Sequence, residues 1–221
     1  MSGRHRHEKF GEVDCWASES GYALVAGVDE AGRGAMAGPL VAAAVVLPAG
    51  CELEAVDDSK RLTPLQRERT FDEITGAATA WAVGVVQPEM IDRLNVLGAT
   101  HLAMRQALDG LDPPAEFALI DGHEPSGIAL PHRAIIGGDG LSLSIAAASI
   151  VAKVVRDRIM VRLDCVWPGY DLARHKGYCT EIHRDALERL GPSIIHRRRF
   201  ALVARHYAEH LPLDRSREVN G

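Results

Sequence analysis

The stretch LVAGVDEAGRGAMAGPL, residues 24–40, is the feature that most constrains the fold of this chain. An apolar run of strand length ends in two adjacent carboxylates, Asp29 and Glu30, and a glycine-rich loop follows at once. A second apolar run, PLVAAAVVLP, begins directly after the loop. This pattern predicts a β-strand on either side of the loop, with two acids placed beside an exposed backbone.

The remainder of the chain alternates between strand and helix patterns. ATAWAVGVVQ, EFALIDG and HRAIIGGDG predict three more strands, of which the last two stop at Asp121 and Asp139. The mixture indicates an α/β fold with a mixed sheet. Apolar spacing and capping residues predict four helices: residues 64–74 after the N-cap Thr63, residues 88–108 with a break near Gly98, residues 141–166, and the stretch from Thr180 to Gly191.

Composition and charge narrow the class of protein. The 221 residues, 47% hydrophobic and 25% charged, suit one globular domain. The net charge is −5, but between Lys153 and Arg205 there are 12 Lys and Arg against 6 Asp and Glu. This basic segment is compatible with a polyanion-binding face and equally with a solvated helical surface. Within it, we expect one or two of the arginines at 197–199 to contact phosphate.

The cysteines and the apolar runs bear on localisation. The four cysteines form no C-x-x-C pair, which favours a reducing, cytoplasmic compartment. The N-terminal residues lack the apolar core of a signal peptide. No apolar run approaches the ~18 residues of a membrane span, so we expect no membrane partner.

The acids at the predicted strand ends suggest metal chemistry. If the ends that carry Asp29, Glu30, Asp121 and Asp139 lie side by side, four carboxylates converge and repel one another. Mg²⁺ or Mn²⁺ resolves that repulsion, because hard cations prefer oxygen ligands. Taken singly, each acid is better explained as an ordinary turn residue, and the metal hypothesis depends on all four together. Adjacent strand residues face opposite sides, so Asp29 and Glu30 serve one ion only if the strand ends or bulges there.

Two other binding sites were weighed. Gly32, Gly34 and Ala37 match the G-x-G-x-x-A dinucleotide fingerprint, but no long helix follows them. Those glycines are better suited to close backbone approach to a phosphate or sugar. A zinc site at His175, Cys179 and His183 would need a helix from residue 175, which Gly177 and Thr180 disfavour.

Taken together, the blocks AGVDEAGRGAMAGPLVAAAVVL, DDSKRLTPLQRE, LIDG, GGDGLSLSIAAASIVAKVVRDRIM and HKGYCTEIH resemble, in order, the ribonuclease HII family. The resemblance spans residues 27–200, most of the chain. It implies a ribonuclease H-like fold, a five-stranded mixed sheet flanked by helices with a helical C-terminal segment. It also implies a metal-dependent endonuclease that cuts the RNA strand of RNA–DNA hybrids and cuts duplex DNA 5′ to single embedded ribonucleotides.

The resemblance also implies roles for individual residues. Asp29, Glu30, Asp121 and Asp139 match the family's catalytic acids and would hold two Mn²⁺ or Mg²⁺ ions. Many members carry a lysine where this chain has Leu141, which affects a charged contact there and not metal binding. The positions that match the family's substrate-binding residues are Gly32, Arg33, Gly34, Lys60 and Tyr178.

The resemblance completes the expected organisation. We expect an N-terminal extension over residues 1–20, one catalytic domain over 21–210, a helical C-terminal segment within it from about residue 170, and a flexible tail over 211–221. The expected partner is an RNA–DNA hybrid or ribonucleotide-containing duplex DNA, bound by a monomer. No sliding-clamp peptide is recognisable near the C-terminus, which leaves a replication partner open. A non-catalytic hybrid-binding module and a metal-dependent DNA nuclease of the same broad fold are the alternatives.

Overall fold

A computed structural model describes residues 13–17, 19–51, 53, 56 and 62–210. The predictions for Lys60, for most of residues 1–20 and for the tail at 211–221 lie outside these described residues. Among the described helices, none is both long enough and apolar enough to cross a membrane.

A five-stranded mixed sheet forms the centre of the molecule, in the order β3-β2-β1-β4-β5. The first three strands pair antiparallel, whereas β1 pairs parallel with β4, and β4 pairs parallel with β5. This arrangement confirms the predicted fold class. The strands are β1 (Val25–Ala31), β2 (Leu40–Val46), β3 (Ala80–Val86), β4 (Phe117–Asp121) and β5 (His132–Ile135).

Helices cover both faces of the sheet, and this explains why every residue of β2 is buried. The helices are α1 (Pro64–Ala77), α2 (Pro88–Asp109), α3 (Leu143–Val166), α4 (Leu172–His175), α5 (Glu181–Leu190) and α6 (Ala201–His210). Ala42 and Ala44 pack into the core on the α2 side of the sheet, whereas Ala43 and Val45 pack into the core beneath α1 and α3.

Capping bonds confirm two of the predicted helix starts, those of α1 and α5, whereas the helix predicted from residue 141 begins at Leu143. Thr63 and Gln66 form a capping box at α1, and the Thr180 side chain accepts a hydrogen bond from the His183 amide at α5. The α3 helix is the longest, as predicted, and it begins after the N-cap Ser142. It packs closely on the sheet, because a Cβ added to Gly27 would lie only 2.0 Å from the Ser144 backbone.

The break in α2 lies at Asn95, three residues before the predicted position at Gly98. Asn95 has φ 63° and ψ 171°, outside the helical region. Its Oδ1 accepts hydrogen bonds from the amides of Leu97 and Gly98, at 2.9 and 3.1 Å. Asn95 therefore acts as an N-cap that restarts the helix, and Gly98 belongs to the restarted segment.

The strand predicted to stop at Asp139 ends earlier, at Ile135. Gly137 adopts a left-handed conformation with φ 68° and ψ 33°, which turns the chain out of the sheet. A single 3₁₀ turn, Gly138–Gly140, follows and carries Asp139. Asp139 is thus presented by a turn and not by a strand end.

A segment near the N-terminus ties to the start of α3. Residues 13–17 are helical, and Ala17 is buried against β4 and α3. The Asp14 carboxylate accepts hydrogen bonds from the Leu143 amide at 2.9 Å and from the Ser144 hydroxyl at 2.6 Å, and it also accepts one from the Ser142 hydroxyl. The contacted residues lie three to five positions after Asp139, so this segment stabilises the turn that carries Asp139.

The predicted helical C-terminal segment is confirmed, and it packs around the glycine loop. Ala37 lies in one buried cluster with Met160, Leu172, Ala186 and Ile195. The preceding residue, Met36, lies in a second buried cluster that includes α5 and α6 side chains. The end of α3 and the helices after it therefore pack against the buried side of the glycine loop.

Candidate active site

The parallel strands bring most of the predicted acids to one edge of the sheet. Val28 pairs with Ile120 across β1 and β4, so the residues that follow them, Asp29 and Asp121, are side by side. Asp121 in turn pairs with Ile135 at the end of β5. Asp29 is buried, whereas Glu30, Asp121 and Asp139 are partly exposed.

Strand β1 neither ends nor bulges at the two adjacent acids. Asp29 pairs with Ala43 and Glu30 pairs with Ala42 in unbroken register, and the strand continues to Ala31. The two side chains therefore leave opposite faces of the sheet, Asp29 toward α3 and Glu30 toward the α2 side. Asp29 Oδ1 accepts a hydrogen bond from the Glu30 amide at 2.6 Å.

Burial and neighbouring charges raise the proton affinity of the two acids on β1. Burial raises the pKa of Asp29 well above its usual value, and the charges of Glu30 and Asp121 raise it further. Burial also raises the pKa of Glu30, while Arg33, 3.6 Å away, opposes that rise and Asp121 adds to it. Asp121 thus links the two acids of β1 electrostatically.

A backbone hydrogen bond joins Asp121 to the turn that carries Asp139. Asp121 Oδ1 accepts from the Gly138 amide at 2.7 Å. A side chain at position 138 would meet Ile145 at 2.6 Å and Asp121 at 3.4 Å, so a residue without a Cβ fits there. The bond fixes the turn against the end of β4, on the same edge as the other acids.

The oxygen-rich, mutually repelling set at this edge fits a hard divalent cation. Even so, no three histidine, cysteine, aspartate or glutamate side chains in the described part of the chain are arranged so that they could hold a metal ion. The structure brings Asp29, Glu30 and Asp121 into one electrostatic neighbourhood. It places Asp139 in the turn bonded to Asp121, without assembling a complete ligand set.

The glycine loop divides into an anchored part and an open part. The amides of Met36 and Ala37 both donate to the Gly177 carbonyl, at 3.0 and 3.2 Å, and the Gly38 amide donates to Ile195 at 2.9 Å. By contrast, no hydrogen bond within the described residues engages the amides of residues 32–34. Gly32 is buried, whereas Arg33 and Gly34 are exposed, so the open part of the loop offers the free N–H donors of Arg33 and Gly34 beside the acids.

Tyr178 lies next to this loop because the preceding residue, Gly177, accepts hydrogen bonds from the amides of Met36 and Ala37. Gly177 has φ 79°, and a Cβ there would lie 2.3 Å from the Ala37 carbonyl oxygen. Tyr178 itself is partly exposed. The structure therefore brings together the loop and the tyrosine that the resemblance implies, although 140 residues of sequence separate them.

Two arginines at the site are buried: Arg156, which the sequence analysis missed, and Arg197, which it grouped with Arg198 and Arg199 as a candidate phosphate contact. Arg156 is fully buried, and Arg197 is 3% exposed and donates hydrogen bonds to loop carbonyls, so Arg197 is not free to contact phosphate. Arg198 and Arg199 are exposed. The signal for Arg156 was its position four residues from both Ala152 and Met160, on the buried stripe of α3.

Three histidines form a buried network beneath Tyr178. His175 and His183 stack with ring centres 4.1 Å apart, and His183 Nε2 lies 3.2 Å from His196 Nε2. Backbone and hydroxyl groups engage the other ring nitrogens. Burial lowers the pKa of His183 to about 3 and that of His196 to about 4. Both rings are therefore neutral at physiological pH, and they serve as hydrogen-bonding groups within the protein.

Comparison with known proteins gives a consistent result. A family model described as ribonuclease HII matches residues 26–203. The ribonuclease HII of Geobacter sulfurreducens is 50% identical over 193 residues, which cover 87% of this chain and 89% of that relative. Ribonuclease H2 from Pyrococcus horikoshii OT3 superposes with a TM-score of 0.72 at 26% identity, over 84% of this chain and 98% of the other. RNase HII from Archaeoglobus fulgidus, solved in complex with PCNA, gives 0.68 at 27% identity, over 80% and 95%.

Proposed function

The chain belongs to the ribonuclease HII family, whose members are metal-dependent endonucleases, and we propose that it hydrolyses the RNA strand of RNA–DNA hybrids and cuts duplex DNA 5′ to a single embedded ribonucleotide. One observation carries the proposal: a loop with open amides lies directly beside Asp29, Glu30 and Asp121, whose charges repel one another.

The free thiols of the four cysteines support a reducing, cytoplasmic compartment.

In this proposal Asp29, Glu30, Asp121 and Asp139 hold the metal. Two Mg²⁺ or Mn²⁺ ions bound there would supply the hydroxide that attacks the scissile phosphate and would stabilise the leaving 3′ oxygen. The raised pKa values of Asp29 and Glu30 support this role, since among the described residues Arg33 compensates the charge of Glu30 and no cation compensates that of Asp29. With water and not the 2′-hydroxyl as the nucleophile, the products carry 3′-hydroxyl and 5′-phosphate ends.

The glycine loop and Tyr178 recognise the ribonucleotide in this proposal. The 2′-hydroxyl distinguishes RNA from DNA, and the amides of Gly32, Arg33 and Gly34, which donate no hydrogen bond within the described residues, are suited to bind it. The Tyr178 ring stacks on the next sugar, where it admits a 2′-deoxy carbon and crowds a 2′-hydroxyl. The Arg33 side chain is 52% exposed and neutralises phosphate, and Lys60 is assigned to a backbone phosphate by the family resemblance alone.

A duplex DNA that carries one ribonucleotide tests the proposal against its alternatives. We expect one metal-dependent cut on the 5′ side of the ribonucleotide, together with cleavage of a long RNA–DNA hybrid. Binding without cutting would support a non-catalytic hybrid-binding module instead. Cutting of the matched all-DNA duplex would support a DNA nuclease of the same broad fold.

Two variants separate junction recognition from phosphate binding. Tyr178→Ala is expected to lose more activity on the single-ribonucleotide duplex than on the long hybrid, because only the former presents the ribose-to-deoxyribose step. Arg33→Ala is expected to weaken both substrates alike and to reduce the salt dependence. Steady-state kinetics of both variants on both substrates at two salt concentrations measure this. Equal losses for Tyr178→Ala on the two substrates would show that the ring does not recognise the junction.

A further inference from the structure

Two buried arginines, Arg156 and Arg197, lie beneath the glycine loop. In the described part of the chain, no carboxylate lies within ion-pairing distance of either guanidinium. Burial lowers the pKa of both, that of Arg197 to about 10. Arginine nevertheless stays charged in proteins at neutral pH. Burying an unpaired cation is costly. The hydrogen bonds that each arginine makes therefore indicate what it does for the fold.

Arg197 binds two carbonyl groups at the two ends of the loop. Its Nη1 donates to the Arg33 carbonyl at 3.0 Å, while Nε and Nη2 donate to the Gly38 carbonyl at 3.1 and 3.0 Å. Its own amide donates to the Met36 carbonyl at 2.9 Å. The planar guanidinium thus spans the loop and fixes the direction of the Arg33 carbonyl.

The direction of that carbonyl determines where one open amide points. The Arg33 carbonyl and the Gly34 N–H belong to the same planar trans peptide, so they point in opposite directions. Because the carbonyl points inward to Arg197, the Gly34 N–H points outward. Gly34 is exposed, and nothing lies within 4 Å of the position that its Cβ would take.

Arg156 occupies the space between the loop and Tyr178. Its Nε donates to the Pro39 carbonyl at 3.0 Å, and its Nη2 donates to the Ala37 carbonyl at 3.3 Å. Its Cζ lies 5.2 Å from the centre of the Tyr178 ring, in cation–π contact. A Cβ added to Gly32 would lie 1.9 Å from Arg156 Nε, so the loop rests directly on this side chain.

We propose that Arg197 and Arg156 are positioning residues for ribonucleotide recognition. Arg197 directs the Gly34 N–H at the 2′-hydroxyl, and Arg156 sets the separation between the loop and the Tyr178 ring. The inference rests on the proposed function, because its ligand is the ribonucleotide that the site is proposed to cut. It adds that recognition depends on two side chains that never touch the nucleic acid.

Binding to two duplexes that differ by one hydroxyl tests the role of Arg197. Fluorescence anisotropy in EDTA gives the Kd of the full chain for a DNA duplex with one ribonucleotide and for the matched all-DNA duplex. Phosphate contacts are common to both duplexes, so the ratio of the two Kd values isolates the 2′-hydroxyl. Arg197→Lys keeps the charge but cannot hold two carbonyls. It is expected to reduce this ratio by about tenfold, the loss of roughly one hydrogen bond.

Arg156 is tested by cleavage kinetics. Arg156→Lys is expected to lower kcat/KM on the single-ribonucleotide duplex more than on the long hybrid, because the Tyr178 ring loses its support. Arg158→Lys is the matched control for both variants: Arg158 lies on the same helix but is exposed and pairs with Glu68, so its Kd and kcat/KM ratios should equal those of the wild type. Equal losses for Arg156→Lys on the two substrates would overturn its role.

The outcomes distinguish this inference from the proposed function. Equal affinity of the wild-type chain for the two duplexes would overturn both. A wild-type preference that Arg197→Lys retains in full would overturn the positioning role alone. If Arg197→Lys does not fold, the NMR resonance of the Gly34 amide in the wild-type chain tests the inference instead. It should shift on addition of the ribonucleotide duplex and stay in place with the all-DNA duplex, and the absence of that difference would refute the inference.

Discussion

Acid should weaken the fold through the histidine network, and the effect can be assigned to one ring. The Gly177 amide donates to His175 Nδ1, so His175 Nε2 carries the proton that goes to the Tyr170 carbonyl. His183 Nδ1 donates to the Tyr178 carbonyl, and His196 Nδ1 accepts from the Ser193 amide. His196 Nε2 must then donate to His183 Nε2. The bonds accepted by His175 Nδ1, His183 Nε2 and His196 Nδ1 each require a neutral ring.

The magnitude follows from the depressed pKa values. An unfolded histidine has a pKa of about 6.5, while those of His183 and His196 are lowered to about 3 and about 4 in the fold. Below pH 6.5 these histidines bind protons in the unfolded chain but not in the folded chain. The free energy of unfolding therefore decreases as the pH falls, until the pH reaches the pKa of the folded state. Between pH 7.5 and pH 5 this costs about 2 kcal/mol for each ring. Asp29 and Glu30 act in the opposite direction, because their raised pKa values make the folded state the stronger proton binder.

Urea unfolding at several pH values, in EDTA and at constant ionic strength, isolates the histidine contribution. His196→Gln retains an N–H donor but cannot titrate. The free energy of unfolding of the wild type, minus that of His196→Gln, should fall by about 2 kcal/mol between pH 7.5 and pH 5. His123→Gln, at an exposed position, serves as the control and should follow the wild-type curve. If wild type and His196→Gln lose stability in parallel, the neutral network does not exist as described.

Other variants test the acid edge and its supports. Asp29→Asn should abolish cleavage in a duplex-cutting assay, while the thermal midpoint without metal stays level or rises, because a buried charge that Glu30 and Asp121 repel is removed. Turnover close to that of the wild type would remove Asp29 from the proposed metal site. Asp14→Ala should lower the free energy of unfolding in urea by about 1–2 kcal/mol, because the start of α3 loses the acceptor for the Leu143 amide. Asp14→Asn, which keeps an acceptor, should lose less, and an unchanged urea midpoint for Asp14→Ala would contradict the capping role.

Features set by neighbouring residues were predictable, and features set across the chain were not. The five strands and the caps Thr63 and Thr180 follow from local patterns, and the structure confirms them except for the end of the fifth strand. The displaced break at Asn95 had a visible signal, since asparagine tolerates left-handed conformations better than most residues. The burial of Arg156 also had a signal, its position on the buried stripe of α3. The contacts of Arg156 and Arg197 had none, because their partner carbonyls lie at least 117 residues away in the sequence. An arginine that binds backbone carbonyls leaves no complementary residue type for a sequence pattern to reveal.

The attachment of the glycine loop to Gly177, Ile195 and Arg197 has a consequence for biosynthesis. Because Gly177, Ile195 and Arg197 follow Asp139 in the sequence, the ribosome synthesises all four acids before any residue that anchors the loop. A nascent or prematurely terminated chain that ends before residue 177 therefore carries the acids but cannot fix the loop that is proposed to select their target. On this arrangement, selectivity is the last property that the growing chain acquires.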